Sequence, residues 1–235
     1  MGRVFEKRKH KMFARYDKMA KGFTKLGKEI AIAVKTGGPN PDSNARLRVA
    51  IQNAKSINMP KDRIDGAIKR ASSKEDKDLE EIVYEGYGPY GIGILLECAT
   101  NNPTRTVANV RLCFSKAGGE LGKTGSLSFM FERKSVFSIK AGNINIEELE
   151  LELIDFGAEE ILIDEEEIII YASFNDFGTM YKALETKGLE IVSSELQRIP
   201  STLTKLSDAQ SEEIIHLVEK FEEDDDVQAV YHNLK

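Results

Sequence analysis

The chain has 235 residues, 41% of them hydrophobic, with two cysteines and a formal net charge of −6. This length predicts two or three domains, each able to bury a core. Its apolar stretches fall far short of the roughly 20 residues a bilayer needs, and two cysteines exclude a disulfide framework. The start Met1-Gly2-Arg3-Val4-Phe5-Glu6-Lys7-Arg8-Lys9 lacks the apolar run of a secretory signal, so a cytoplasmic protein with no membrane partner is expected.

The net charge conceals a division along the chain. Residues 1–77 hold 20 Lys and Arg against 8 Asp and Glu, and residues 78–134 hold 6 against 7. Residues 135–200 then hold 4 against 15, and residues 201–235 hold 3 against 9. A basic front precedes a strongly acidic rear, so the partner suggested by the front differs from the one suggested by the average.

In chain order, Met12, Tyr16, Met19, Phe23, Leu26, Ile30 and Ala33 alternate by four and three, which predicts an amphipathic first helix. Gly37-Gly38-Pro39-Asn40-Pro41 ends it. Asp42 and Ser43 are expected N-caps of a second helix with Leu47, Ile51, Ala54 and Ile57 inward. Pro60 suits the first turn of a third, carrying Ile64, Ala67, Ile68 and Ala71. The polar tract Ser72 to Asp78 marks a boundary.

Beyond it, Gly91 to Cys98 reads as a strand, Pro103 opens a helix with Val107, Val110, Phe114 and Ala117 inward, and Ser126 to Phe131 reads as the next strand. Residues 135–200 then give strand, helix, two strands, helix and strand, the ferredoxin-like order. A final helix, 207–221, and strand, 227–232, are too small to stand alone. They are expected to complete the open unit of 78–134. The predicted fold class is α+β: an all-α N-terminal domain (1–77) followed by two ferredoxin-like α/β sandwich lobes. The first lobe is 78–134 plus 201–235, and the second, acidic lobe, 135–200, is inserted in it.

On the first helix Lys18, Lys21, Lys25, Lys28 and Lys35 fall opposite the apolar face at about 100° per residue. Lys7, Arg8, Lys9, Lys11 and Arg15 precede them, and Arg46, Arg48, Lys55, Lys61, Arg63, Lys69 and Arg70 follow on the next two helices. Cations in this number suit a polyanion, because each neutralised phosphate releases condensed counterions. Nucleic acid is therefore the expected partner. The acidic lobes are expected to face away from it or toward basic proteins such as those of the ribosome.

Other motifs do not carry chemistry. Gly86-Tyr87-Gly88-Pro89-Tyr90-Gly91 matches a dinucleotide fingerprint in letters, but a strand follows it and Pro89 lacks an amide donor, so a turn with packing tyrosines is expected. Gly122-Lys123-Thr124 has helix and strand in the reverse of phosphate-loop order. His10, His216 and His232 have no zinc spacing. The runs Glu147-Glu148, Asp164 to Glu167 and Glu222 to Asp226 read as solvated charge. No catalytic residue, metal or cofactor is predicted.

Several stretches resemble the YebC/PmpR family: Phe23-Thr24-Lys25-Leu26, Ser43-Asn44-Ala45-Arg46-Leu47-Arg48, Asn58-Met59-Pro60-Lys61-Asp62, Tyr84-Glu85-Gly86-Tyr87-Gly88-Pro89, Thr124-Gly125-Ser126 and Phe131-Glu132-Arg133-Lys134. The likeness is dense from Phe23 to Lys134. It departs at Gly2-Arg3-Val4-Phe5-Glu6, where family members commonly have Gly-His-Ser-Lys-Trp, and at Tyr90, where they often have glycine. The resemblance implies a three-lobed protein with an inserted domain. It also implies a regulator of gene expression, chiefly a DNA-binding transcriptional regulator. The alternative it carries is a ribosome-associated translational activator acting on RNA.

Overall fold

The computed structural model describes residues 3–73, 79–142, 144–164 and 166–235, with side chains described from residue 19 onward. Most of the polar tract at 72–78 lies outside the described residues. The chain divides into two compact units. One comprises Met1–Ile82, Glu97–Thr106 and Phe221–Ala229, and the other Val83–Leu96, Val107–Lys220 and Val230–Lys235.

Three helices open the first unit. Helix α1 spans Arg3–Gly37, α2 spans Ala45–Ser56 and α3 spans Lys61–Ser72. Their core joins Phe23, Ile30, Ala33 and Val34 to Leu47, Ala50, Ala54, Ile64, Ala67 and Ala71, the faces that the helical period places inward. Many of these side chains are small, so the helices approach closely.

The cap of α2 differs from expectation: it is Asn44, not Asp42 or Ser43. The Asn44 Oδ1 accepts from the Leu47 N–H at 3.0 Å, while its Nδ2 donates to Ala33 O at 2.7 Å and Gly38 O at 2.8 Å. One amide thus caps α2 and satisfies carbonyls at the end of α1. A carboxylate or hydroxyl lacks the two donors this position uses. Pro60 is the N-cap of α3, and the chain reaches it through Asn58 in the left-handed region at φ 60°.

Two four-stranded sheets follow. Strands β1 (Glu80–Tyr87), β2 (Gly93–Thr100), β3 (Glu120–Leu121) and β8 (Val227–His232) have the order β3-β1-β2-β8, with α4 (Pro103–Lys116) between β2 and β3. Strands β4 (Phe131–Lys140), β5 (Ala158–Asp164), β6 (Glu167–Ser173) and β7 (Ile191–Pro200) have the order β5-β6-β4-β7, all pairs antiparallel. Helix α5 (Ile146–Leu153) packs on β5, and α6 (Phe177–Thr186) packs on β6 and β7. The element order and sheet order of this second group are ferredoxin-like. Its core includes Phe137, Ile139, Leu153, Ile170, Met180 and Leu184. Helix α7 (Asp208–Glu222) precedes β8.

The first sheet corrects two expectations. Residues 80–87, which open with Glu80-Glu81, form a strand that the sequence reading missed. It occupies the place between β3 and β2 that a continuous ferredoxin-like chain would fill with its third strand. Residues 126–130 are not a strand, and only Phe131 of the expected segment belongs to one, as the first residue of β4: Ser128–Met130 is a 3-10 turn and Phe129 is 76% exposed. The cause is Glu85, whose buried carboxylate accepts from Gly125 N at 2.9 Å and Leu127 N at 2.5 Å and wraps this loop around itself. Gly86 is required beside it, since a Cβ there would lie 2.5 Å from Glu120 O.

Within the segment Gly86 to Gly91, Gly86 and Tyr87 end β1 and Pro89–Gly91 forms a 3-10 turn that leads to β2. Tyr87 packs with Leu95 and Leu127, as expected. Tyr90 does not pack: it is exposed, and its hydroxyl donates to Glu213 at 2.8 Å. Its φ of 60° is left-handed, which explains why glycine suits this position.

Candidate nucleic-acid interface

The cations of the first unit fall into three environments. Lys21, Arg48, Lys55, Lys61, Arg63, Lys69 and Arg70 are exposed on α1, α2 and α3, as is Lys35 near the end of α1. Lys7, Arg8, Lys9, Lys11, Arg15 and Lys18 belong to α1, but their side chains lie outside the described residues. Arg46 is exposed and paired, its guanidinium meeting the Glu81 carboxylate at 2.5 and 3.1 Å.

Lys25 and Lys28 occupy the third environment. Lys25 is half-buried, and burial pulls its pKa below the usual lysine range against the opposing pull of Glu222. The Lys28 ammonium donates to Asp226 Oδ1 at 2.8 Å, to Asp225 O at 2.7 Å and to Ala99 O at 2.9 Å. Its three hydrogens thus have three acceptors. The stripe Lys21, Lys25 and Lys28 that helical spacing draws as one face is divided by what each side chain meets.

Asp226 is the centre of this arrangement. It belongs to the run Glu222 to Asp226 read above as solvated charge, but it is buried, a correction with a clear cause. Besides Lys28, its carboxylate accepts from Thr100 Oγ1 at 3.0 Å, Arg105 Nη2 at 2.5 Å and Thr106 Oγ1 at 2.9 Å. Burial alone would raise its pKa, but the hydrogen bonds from Lys28, Arg105 and Thr106 hold it well below the carboxylate range. The partners come from α1, β2 and α4, up to 198 residues away, so no local pattern announces the site.

Cys98 sits beside this cluster. Burial, then the charges of Asp224 and Asp226, push its thiol up to about 12, so it stays protonated and unreactive near neutral pH. Among the described residues no group of three His, Cys, Asp or Glu could hold a metal ion. Also among them, no helix is long and apolar enough to cross a membrane.

Exposed cations on three helices braced by a small-residue core can meet a row of phosphates without deforming the fold. The chain is similar to known proteins over its full length. Residues 3–74 match the family described as the TACO1/YebC protein N-terminal domain, and residues 79–234 match the TACO1/YebC second and third domain. A protein of Cytophaga hutchinsonii named "Probable transcriptional regulatory protein" is 62% identical, covering 100% of this chain and 98% of its own. A relative of the same name from Flavobacterium johnsoniae is 54% identical, covering 100% and 99%. The crystal structure of a conserved hypothetical protein from Aquifex aeolicus superposes with a TM-score of 0.82 at 38% identity, covering 92% of this chain and 90% of that one.

Proposed function

Because the chain belongs to the TACO1/YebC family, we propose that it is a non-enzymatic, cytoplasmic DNA-binding regulator of transcription whose helices α1–α3 grip backbone phosphates. The observation that carries this reading is the set of exposed cations Lys21, Arg48, Lys55, Lys61, Arg63, Lys69 and Arg70 on a segment with 20 basic and 8 acidic residues. The name of its relatives supports the level at which it acts. Lys7, Arg8, Lys9, Lys11, Arg15, Lys18 and Lys35 extend the same charge along α1. Lys25 and Lys28 serve it from behind: Lys28 fixes α1 through Asp226 and leaves phosphate contact to its neighbours.

Phosphate contacts of this kind predict a steep loss of affinity with salt and little dependence on sequence. The test is fluorescence anisotropy with duplex DNA over a salt series, comparing the protein with an Arg48→Glu, Lys61→Glu, Lys69→Glu variant. Each lost contact lowers the slope of log affinity against log salt by about 0.9, so the variant is expected to lose between two and three. An unchanged slope rejects the assignment.

A second reading, a translation factor on ribosomal RNA, draws on the acidic residues 135–200. There Leu151, Ile154, Leu162 and Ile163 are exposed among carboxylates, a surface suited to a basic protein partner. Crosslinking in cells followed by sequencing of both DNA and RNA separates the two: enrichment of promoters supports the first, and enrichment of ribosomal RNA supports the second.

A further inference from the structure

Two glycines lie in the middle of helices where nothing in the fold asks for them. A Cβ added to Gly27 in α1 or Gly66 in α3 would meet no atom within 4 Å. Both helices would be firmer with alanine there. The two positions line one groove of about 490 Å³, floored also by Ala31 and Ala67. That volume falls within the roughly 300–1,000 Å³ of ligand clefts.

The chemistry around the groove is selective. Arg63 and Arg70 stand seven residues apart, about two turns along the same face of α3, and both line it. The Arg63 guanidinium carbon lies 5.5 Å from the centroid of the Phe23 ring, within cation–π reach. Asp62 supplies an acceptor on the rim. A cationic plane, a second cation and a floor of glycine and alanine match one nucleotide: a base to stack, a phosphate to pair and room to approach closely.

We infer that this groove receives one unpaired nucleotide of the bound DNA, its base stacked on the Arg63 guanidinium and its phosphate held by Arg70. Bases stack on arginine planes as they do on aromatic rings, and the Phe23 ring lies within cation–π reach of this guanidinium. The Asp62 carboxylate can accept from an exocyclic amino group. A fully paired duplex keeps its bases inside the stack and cannot fill the groove. The inference rests on the DNA-binding reading above and adds to it a preference for distorted or opened DNA.

The test uses the full chain and two labelled duplexes, one fully paired and one carrying a single bulged nucleotide. The wild-type protein is expected to bind the bulged duplex about tenfold more tightly, as one stacked base provides. The Gly27→Leu, Gly66→Leu variant fills the groove and should bind both duplexes equally, at the wild-type affinity for the paired one. Arg63→Lys keeps the charge without the plane and should lose the same preference, which guards against misfolding of the filled variant. Equal binding of both duplexes by the wild type overturns this inference alone. A preference that survives in folded filled variant and in Arg63→Lys also overturns it. Binding of neither duplex overturns it together with the reading it rests on.

Discussion

Helices α1–α3 pack a core rich in small side chains, Ala33, Ala50, Ala54, Ala67 and Ala71 among them, beneath a surface of lysine and arginine. The sheet of β4 to β7 fills its interior with Phe137, Ile139, Leu153, Ile170 and Leu184 beneath a surface of carboxylates. The first arrangement brings helices close and leaves a glycine-floored groove between α1 and α3. The second fills its layers with large side chains. The contrast teaches that the basic region presents charge over a thin core with an open groove, while the acidic region is built around its own packing.

The largest expected effect breaks the brace behind the basic surface. Asp226→Asn leaves Lys28, 18% exposed at its side chain, beside an uncharged partner. Removing one member of a buried ion pair costs about 3–5 kcal/mol, and a loss near the lower bound is expected in urea unfolding because Lys28 retains two carbonyl acceptors. The folded pKa of Asp226 is depressed, so its contribution is present above the unfolded value near 3.8 and is lost as pH falls below that value through the folded one. The wild-type advantage should therefore be level around neutral pH and shrink on acidification. An advantage that grows as pH falls contradicts the assignment.

In the other unit Glu85→Ala should orphan the Gly125 and Leu127 amides and cost about 2–4 kcal/mol, at about 1–2 each. The Ser126 to Met130 loop should then exchange amide protons faster, which hydrogen exchange reads residue by residue. Protection left unchanged there would show that Glu85 does not organise the loop.

Smaller effects sharpen the comparison. Gly66→Ala enters open space in a helix interior and should raise stability by about 0.5–1 kcal/mol. A loss would mean that the groove is needed by the fold itself. Arg46→Ala removes a pair whose side chains are 43% and 55% exposed and should cost under about 1 kcal/mol. A larger loss would place this pair with Asp226 as part of the brace.

What the sequence makes legible follows from how far each determinant reaches. The seven helices found among the described residues, the ferredoxin-like order read over residues 135–200 and the strand at 227–232 rest on local periods and turn residues, and the structure has them. Strand β1 was hidden because Glu80-Glu81 and Val83 to Tyr87 obey no clean alternation. The strand expected at 126–131 failed because a carboxylate 42 residues earlier in the chain, Glu85, binds its backbone. The same limit applies at the site. Helical spacing puts Lys21, Lys25 and Lys28 on one face, but Asp226 takes Lys28 from across 198 residues. Arg105 completes that cluster from the first turn of α4, and nothing in its local spacing points to Asp226.

Ultraviolet crosslinking of the full chain to bound DNA, with mass spectrometry of the crosslinked peptides, tests the central claim most directly. The account predicts crosslinks in the peptides of α1, α2 and α3, including those that carry Arg48, Lys61 and Arg63, and none in residues 131–200. Crosslinks concentrated in residues 131–200, with α1–α3 unmarked, would contradict it.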